Sequence, residues 1–298
     1  METAEGFFKK GNEYVEQGER FLNPYQYKKA IKNYKKAIEI DPYHYKAWLE
    51  MGSAYVLLDE HEKAIDCWQK AMDIIPDNAE AWYGLGNACY HYAYFFLCKP
   101  LMRHKTIKML PITFKKAQDY YNKAIEFYNK AVKIESKHVR AWINMGASYY
   151  ELSEYSKAIN CYKNAVKFNP EYKSAWYNMG KAYYRMGEYK EAIESYKKTL
   201  EIDPYHKHTK NNMGHAYRKL GEYTKAIVCY KETVELYPKY AYAWFNMGIV
   251  YEELGEYKEA IECYEETLKI CPYDMIVKKK LKNAHKKYKH EEKAGQRK

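Results

Sequence analysis

The sequence lacks a long hydrophobic run. Although 47% of its 298 residues are hydrophobic, no segment approaches the continuous apolar stretch of about 18 residues that a membrane span requires. The first residues, METAEGFFKKGNEYVEQ, contain no apolar stretch followed by a small-residue cleavage site, so they predict no secretory signal. We therefore expect a cytoplasmic protein with a buried core.

Patterns that carry catalysis are missing as well. The sequence has no glycine-rich phosphate loop and no nucleophile-and-base arrangement that stands apart from its repeats. His208 and His215 lie two helical turns apart with Asn211 and Asn212 between them. One such pair is weak support for a metal site, and the alternative is two ordinary polar residues of a groove. We predict that the chain is not an enzyme and uses no cofactor or metal.

What the sequence does have is a repeated segment. NMGKAYYRMGEYKEAIESYKKTLEIDP at 178–204 returns as NMGIVYEELGEYKEAIECYEETLKICP at 246–272, and a looser copy begins at Asn212, which gives a period of 34 residues. Apolar residues recur at spacings of three and four on both sides of a Gly-Glu-Tyr turn, which predicts two amphipathic helices in each period. One glycine and one alanine recur in every period, and residues this small allow two helices to pack closely.

This pattern resembles the signature of the tetratricopeptide repeat, which reads W-x-x-[LM]-G-x-x-Y, then A-x-x-x-Y, then Pro. The resemblance covers nearly the whole chain. It implies an all-α, right-handed superhelical solenoid of about seven helix-turn-helix repeats, in which the first helix of each repeat lines the concave side. In the fifth repeat the signature residues are Trp176, Met179, Gly180, Tyr183, Ala192, Tyr196 and Pro204. The predicted repeats are residues 4–44, 45–78, 79–138, 139–172, 173–206, 207–240 and 241–274.

The end of the chain departs from the repeat. Residues 275–290 place one apolar stripe on an otherwise lysine-rich helix, which is what the capping helix of a solenoid needs. We predict that this helix closes a single domain over residues 1–290 and that residues 291–298 form a disordered tail.

The third repeat carries an insertion near residues 93–118. Its flanks continue both helical patterns, and Pro100 and Pro111 mark the ends of a connecting segment, so we expect a helical hairpin arm. Many apolar residues exposed on one arm would form an adhesive patch. The arm either packs on its own protein or docks a partner or a second copy through residues 95–112, and a membrane surface is a weaker option. These apolar residues are Phe95, Phe96, Leu101, Met102, Ile107, Met109 and Leu110.

The seven cysteines do not form a disulfide or metal framework. Four of them share one phase of the repeat, as small buried apolar residues would, and the other three follow no metal-ligand spacing. We predict free, reduced thiols. The four in phase are Cys67, Cys161, Cys229 and Cys263, and the others are Cys89, Cys98 and Cys271.

The resemblance implies a protein–protein interaction scaffold. In the family, the residue two places before each repeated glycine points into the concave groove, and in repeats four to seven it is Asn144, Asn178, Asn212 and Asn246. An asparagine amide can both donate to and accept from the backbone of an extended peptide. The row resembles the asparagine ladder in the repeat domain of O-linked N-acetylglucosamine transferase. The alternative is that each asparagine bonds the adjacent repeat.

Charge on the same face favours an acidic ligand. The predicted strip is basic in repeats four to six and changes sign in repeat seven with Glu252 and Glu253, so an acidic segment would have a limit on where it lies. The alternative is an ordinary solvated face rich in lysine. The basic residues of the strip are Arg140, Lys181, Arg185, Arg218 and Lys219.

The formal net charge of +11 raises a nucleic-acid-associated scaffold as an alternative function. The lysines interleave with glutamates, however, and no nucleic-acid-binding signature is present, so nucleic acid is an unlikely partner. A self-assembly module that acts through the insertion arm is the other alternative. We favour a scaffold that binds an extended, acidic peptide in the concave groove.

Overall fold

The computed structural model describes residues 2–21, 23–102 and 110–295, which form fifteen α-helices and no strand. The all-α prediction is therefore confirmed. The chain divides into two compact units, Met1–Asn169 and Pro170–Lys298, and the boundary falls near the end of the predicted fourth repeat. We therefore describe two units where the sequence predicts one domain over residues 1–290.

The first unit contains four helix pairs, in which each helix packs on its neighbours in sequence. Three of the pairs correspond to regular or slightly lengthened repeats, and the pair α5 and α6 is much longer. The helices are α1 Ala4–Phe21, α2 Pro24–Ile40, α3 Tyr45–Val56, α4 His61–Ile74, α5 Ala79–Met102, α6 Leu110–Ile134, α7 Val139–Glu151 and α8 Tyr155–Phe168.

The second unit contains three regular pairs and a terminal helix that packs on α14. The terminal helix continues to Gly295, so the tail predicted to be disordered from residue 291 is helical as far as Gly295. The reason is compositional, since no proline or glycine interrupts the helix before that residue. The helices are α9 Lys173–Met186, α10 Tyr189–Ile202, α11 Lys207–Lys219, α12 Tyr223–Leu236, α13 Ala241–Leu254, α14 Tyr257–Ile270 and α15 Met275–Gly295.

The repeated glycine lies under an aromatic ring of the second helix in every repeat. A Cβ atom built on Gly180 would lie 2.5 Å from Cε1 of Tyr196, and one on Gly214 would lie 2.6 Å from Cε1 of Tyr230. Carbon atoms cannot approach this closely, so a glycine is required at this position. The seven rings are Tyr34, Trp68, Tyr128, Tyr162, Tyr196, Tyr230 and Tyr264. The repeated alanines are all fully buried, which confirms that small residues set the close packing of the helix pairs.

The turn inside the repeat uses a left-handed residue. In the second unit this residue is glycine, with φ of 84° at Gly187, 75° at Gly221 and 82° at Gly255. In the first unit Asp59 and Ser153 adopt the same conformation, with φ of 59° and 62°. A side chain makes this conformation costly, so the first unit forms its turns with some backbone strain.

The cysteines behave as packing residues. Cys67, Cys161, Cys229 and Cys263 are buried and free, as is Cys89, while Cys271 is free and exposed. Burial raises the pKa of each buried thiol to about 12. The thiolate is therefore scarce at neutral pH and these groups are unreactive.

The insertion lengthens both helices of the third repeat, as predicted. Ala93 of α5 packs against Ala117 and Tyr121 of α6 in a small buried cluster. Pro100 does not end α5, which continues to Met102, and Pro111 lies in the first turn of α6, where proline is tolerated. Residues 103–109 lie outside the described residues, so the covering of the arm stays a prediction. The side chains of Phe96, Leu101, Met102 and Leu110 also lie outside the described part of the structure.

Candidate functional site

The first helices of the second unit carry the predicted asparagines. Asn212 Nδ2 donates to Tyr177 Oη of the preceding repeat over 3.2 Å. Asn246 Nδ2 donates to Asn211 Oδ1 over 3.1 Å and to His215 Nε2 over 3.2 Å. The amide nitrogens therefore join neighbouring repeats. Asn178 is half-buried at the equivalent position of α9.

Asn144 of the first unit has the same role. Its Nδ2 atom donates to Asn87 Oδ1 over 2.8 Å and to Tyr83 Oη over 3.3 Å, and both acceptors belong to the preceding repeat. Adjacent-repeat bonding, the alternative raised from the sequence, thus occurs at Asn144, Asn212 and Asn246. Within the described part of the chain, no donor bonds the Oδ1 atom of any of these three residues. One acceptor on each side chain remains for a ligand.

The predicted basic strip is less positive than the sequence indicates. Arg218 donates to both carboxylate oxygens of Glu253, with Nη2–Oε1 at 2.6 Å and Nε–Oε2 at 2.9 Å. These hydrogen bonds raise the pKa of the guanidinium of Arg218. The sequence predicts a basic strip through repeat six and a change of sign in repeat seven, but packing of α11 beside α13 brings Glu253 of repeat seven onto Arg218 of repeat six.

The other predicted basic residues are placed differently. Lys219 and Arg185 are exposed, and Lys181 is half-buried with Nζ 5.8 Å from the centroid of the Tyr177 ring. Arg140 is exposed on α7 of the first unit. In the second unit, the inner face is the face of α9, α11 and α13 that carries Asn178, Asn212 and Asn246. Lys219 is an exposed cation on this face.

The carboxylate of Glu252 is used within the fold. It accepts from Lys280 Nζ at 2.9 Å, from Lys287 Nζ at 3.1 Å and from Tyr264 Oη at 2.9 Å. Burial opposes the ionisation of Glu252, but these hydrogen bonds outweigh burial, so the pKa of Glu252 is lowered. Two lysines of α15 therefore attach the terminal helix to α13, and the change of sign predicted in repeat seven is largely compensated.

His215 is a neutral, doubly bonded histidine. Its Nε2 atom accepts from Asn246 Nδ2, and its Nδ1 atom lies 3.3 Å from Tyr230 Oη, to which it donates in the neutral ring. Burial, with help from Arg218 and Lys219, lowers its pKa to about 4. No group of three or more metal-ligating side chains is found in the residues that the structure describes.

A cleft of about 690 Å³ opens beside this histidine. His208, Asn211 and His215 of α11 and Asn246 of α13 line one part of it, and Ile276 of α15 lies at another part. His208 Nδ1 lies 3.2 Å from Tyr240 Oη, which also borders the cleft. Sequence reasoning noted the two histidines but missed the cleft, because it depends on how the terminal helix packs.

The repeat pattern is matched along most of the chain. The TPR repeat pattern matches residues 52–91 and 146–187. The chain belongs to the tetratricopeptide repeat (TPR) family. Further tetratricopeptide repeat patterns match residues 33–66, 114–138, 174–206 and 206–272. Membership of this family identifies a protein–protein interaction scaffold. None of the curated proteins matches the chain in sequence.

Several solved TPR structures share the fold. The C-terminal part of a TPR repeat-containing protein from Cytophaga hutchinsonii has a TM-score of 0.67 at 17% identity, over 90% of this chain and 99% of that one. The MamA protein has a TM-score of 0.53 at 24% identity, over 66% of this chain and 93% of that one. YrrB, described as a TPR protein with an unusual peptide-binding site, has a TM-score of 0.53 at 18% identity, over 70% and 95% of the two chains. Identities this low show the fold alone.

No helix within the described ranges is both long enough and apolar enough to cross a membrane.

Proposed function

We propose that the second unit binds an extended, acidic segment of a partner protein along the first helices of its repeats, α9, α11 and α13. The observation that supports this most is the chemistry of the inner face. Asn212 and Asn246 keep one amide oxygen each unbonded, and Lys219 is exposed on α11, the helix that carries Asn212. The face therefore combines neutral acceptors with positive charge.

The amide oxygens serve the backbone of the segment. An extended peptide presents one N–H group per residue, and an acceptor fixed at each repeat can bind such groups without selecting a side chain. Because the nitrogen of each amide is already bonded to the preceding repeat, the oxygen is held in one orientation before the ligand arrives. This preorganisation reduces the entropy that binding costs.

The cations supply the preference for acidic residues. Exposed Lys219 attracts carboxylates and raises the rate of encounter at low salt, and Lys181 and Arg185 add positive charge to α9. Arg218 contributes less than its sequence position indicates, since Glu253 already binds its guanidinium. Asn144 and Arg140 belong to the first unit and are not needed for this site.

The test is a titration of the full chain with two peptides of equal length, one rich in aspartate and glutamate and one rich in lysine, at two salt concentrations. We expect tighter binding of the acidic peptide and weaker binding at high salt. Lys219→Glu reduces the affinity, and Asn212→Ala reduces it at both salt concentrations. Lys190→Glu makes the same charge change on the second helix α10, where the residue is exposed, and serves as the control. Equal affinity for both peptides contradicts the proposal.

A further inference from the structure

We propose that the cleft between α11, α13 and the start of α15 binds one uncharged, aromatic or large aliphatic residue of the partner segment, together with the peptide group next to it. This inference rests on the proposed function, because it adds an anchor residue to the acidic segment. In this proposal the cleft selects the partner by its anchor residue, and the lysines attract acidic segments in general.

The rim of the cleft exposes apolar surface that the fold does not use. Tyr242 is 69% exposed and Ile276 is 67% exposed, although both line the cleft. Their neighbours Met275 and Tyr273 are 73% and 89% exposed. Large apolar side chains clustered at the mouth of a concave site are typical of a surface that buries them against a ligand.

The floor of the cleft presents a paired amide. Asn246 Nδ2 donates to Asn211 Oδ1, which joins the two side chains and leaves Asn211 Nδ2 and Asn246 Oδ1 without a bond to the described residues. Both asparagines are almost fully buried by the protein, at 5% and 8% exposure, yet both line the cleft. One donor beside one acceptor is the hydrogen-bonding complement of another amide, such as a peptide group.

The charge of the cleft disfavours an acidic side chain. His215 is neutral, and the carboxylate of Asp274 accepts from the backbone N–H groups of Ile276 at 2.9 Å and Val277 at 3.1 Å. Asp274 thereby caps α15 through one carboxylate oxygen and keeps its negative charge at the cleft. An acidic residue that entered the cleft would lose water beside this carboxylate and a neutral histidine, so an uncharged side chain is favoured over an acidic one.

The test uses N-acetyl-phenylalaninamide, which carries one aromatic side chain between two amide groups. The full chain is titrated with it while the NMR signals of the histidine rings and the asparagine side-chain amides are followed. We expect saturable shifts of His208, His215 and the Asn211 and Asn246 amides. N-acetyl-aspartic acid α-amide, which has the same amides and a charged side chain, should give no saturable shift. Equal shifts from both compounds, or none from the first, overturn the proposal.

A surface variant locates the binding. Tyr242→Ser combined with Ile276→Ser removes apolar surface from the rim without disturbing a buried side chain, and we expect the affinity for N-acetyl-phenylalaninamide to fall at least about tenfold. Tyr205→Ser is the matched control, because Tyr205 is 67% exposed in the same unit and does not line the cleft. Equal effects of the two variants would refute the location.

The outcome is separable from that of the proposed function. If the acidic peptide fails to bind while N-acetyl-phenylalaninamide binds in the cleft, the acidic preference is wrong and the cleft assignment stands. If the acidic peptide binds equally well to the wild type and to the rim variant, with or without a phenylalanine in its sequence, the groove stands and the anchor proposal fails.

Discussion

The two units build the same helical hairpin with different regularity. In the first unit the helices range from the 12 residues of α3 to the 25 residues of α6. In the second unit the six paired helices have 13 or 14 residues each. Every described turn that carries a left-handed glycine also belongs to the second unit. A stack of equal hairpins places the same inner-face residue at regular intervals. An extended ligand can bind along such a regular row.

The asparagines show what the regularity changes and what it does not. Asn144 in the first unit and Asn246 in the second both donate Nδ2 to the preceding repeat. The acceptors differ, since Asn144 bonds Asn87 and a tyrosine hydroxyl, whereas Asn246 bonds Asn211 and His215. Both units therefore join neighbouring repeats through an asparagine amide, and the second unit adds a histidine beside the cleft. Four experiments separate these contributions.

The largest expected effect is the response of the second unit to acid. The folded pKa of His215 is about 4, below its unfolded value of about 6.5. As the pH falls from 6.5 to 4, the unfolded chain therefore gains a proton that the folded chain does not. Stability decreases over this window, by up to about 3 kcal/mol, and levels off below it. Denaturant unfolding of wild type and His215→Gln at pH 7 and pH 4.5 measures the difference.

His215→Gln should remove most of that pH dependence, since glutamine keeps polar atoms near Tyr230 and Asn246 and does not titrate. If the variant and the wild type lose equal stability between the two pH values, His215 is not the responsible group.

The next effect tests the ring-over-glycine contact. Gly214→Ala places a Cβ atom against Tyr230, and we expect a loss of about 2 kcal/mol from overpacking. Gly146→Ala in the first unit meets Tyr162 at 2.7 Å and should cost a similar amount. Gly84→Ala is the control, because nothing lies within 4 Å of its Cβ position and alanine favours the helix by about 0.5–1 kcal/mol. Thermal unfolding distinguishes them, and a stabilising Gly214→Ala would refute the contact.

A smaller effect concerns the ion pair between repeats six and seven. Arg218 and Glu253 form a bidentate pair whose side chains are 24% and 35% exposed. Solvent screens a pair of this exposure, so we expect a coupling energy of about 1 kcal/mol. A double-mutant cycle with Arg218→Ala and Glu253→Ala measures it. A coupling energy of zero would mean that Glu253 does not hold Arg218, which would then be available for a ligand.

The smallest effect compares the turns of the two units. Ser153→Gly relieves the left-handed conformation of the first unit and should stabilise it by about 0.5–1 kcal/mol. Gly187→Ser introduces the same strain into the second unit and should cost about as much. Thermal unfolding of both variants tests whether the melting temperature rises for Ser153→Gly and falls for Gly187→Ser. Changes of the same sign would show that the turn conformation is not the cause.

Sequence reasoning predicted the helix pairs and the small residues at their contacts, because these follow from a pattern that recurs along the chain. It assigned Arg218 to the basic strip and did not predict the pairing with Glu253, because side-chain partners one repeat away depend on how stacked helices align. The cleft was not predicted from the sequence for a similar reason. Asn211, Tyr242 and Ile276 are distant in sequence and meet only when α15 packs on α14.

The central claim is that the inner face of the second unit binds a partner segment. Hydrogen–deuterium exchange of the full chain, with and without a saturating acidic peptide that contains one phenylalanine, tests it most directly. The account predicts slower exchange in α9, α11 and α13 and at the start of α15, with residues 2–169 unchanged. Protection confined to residues 2–169, or no protection anywhere, would contradict it.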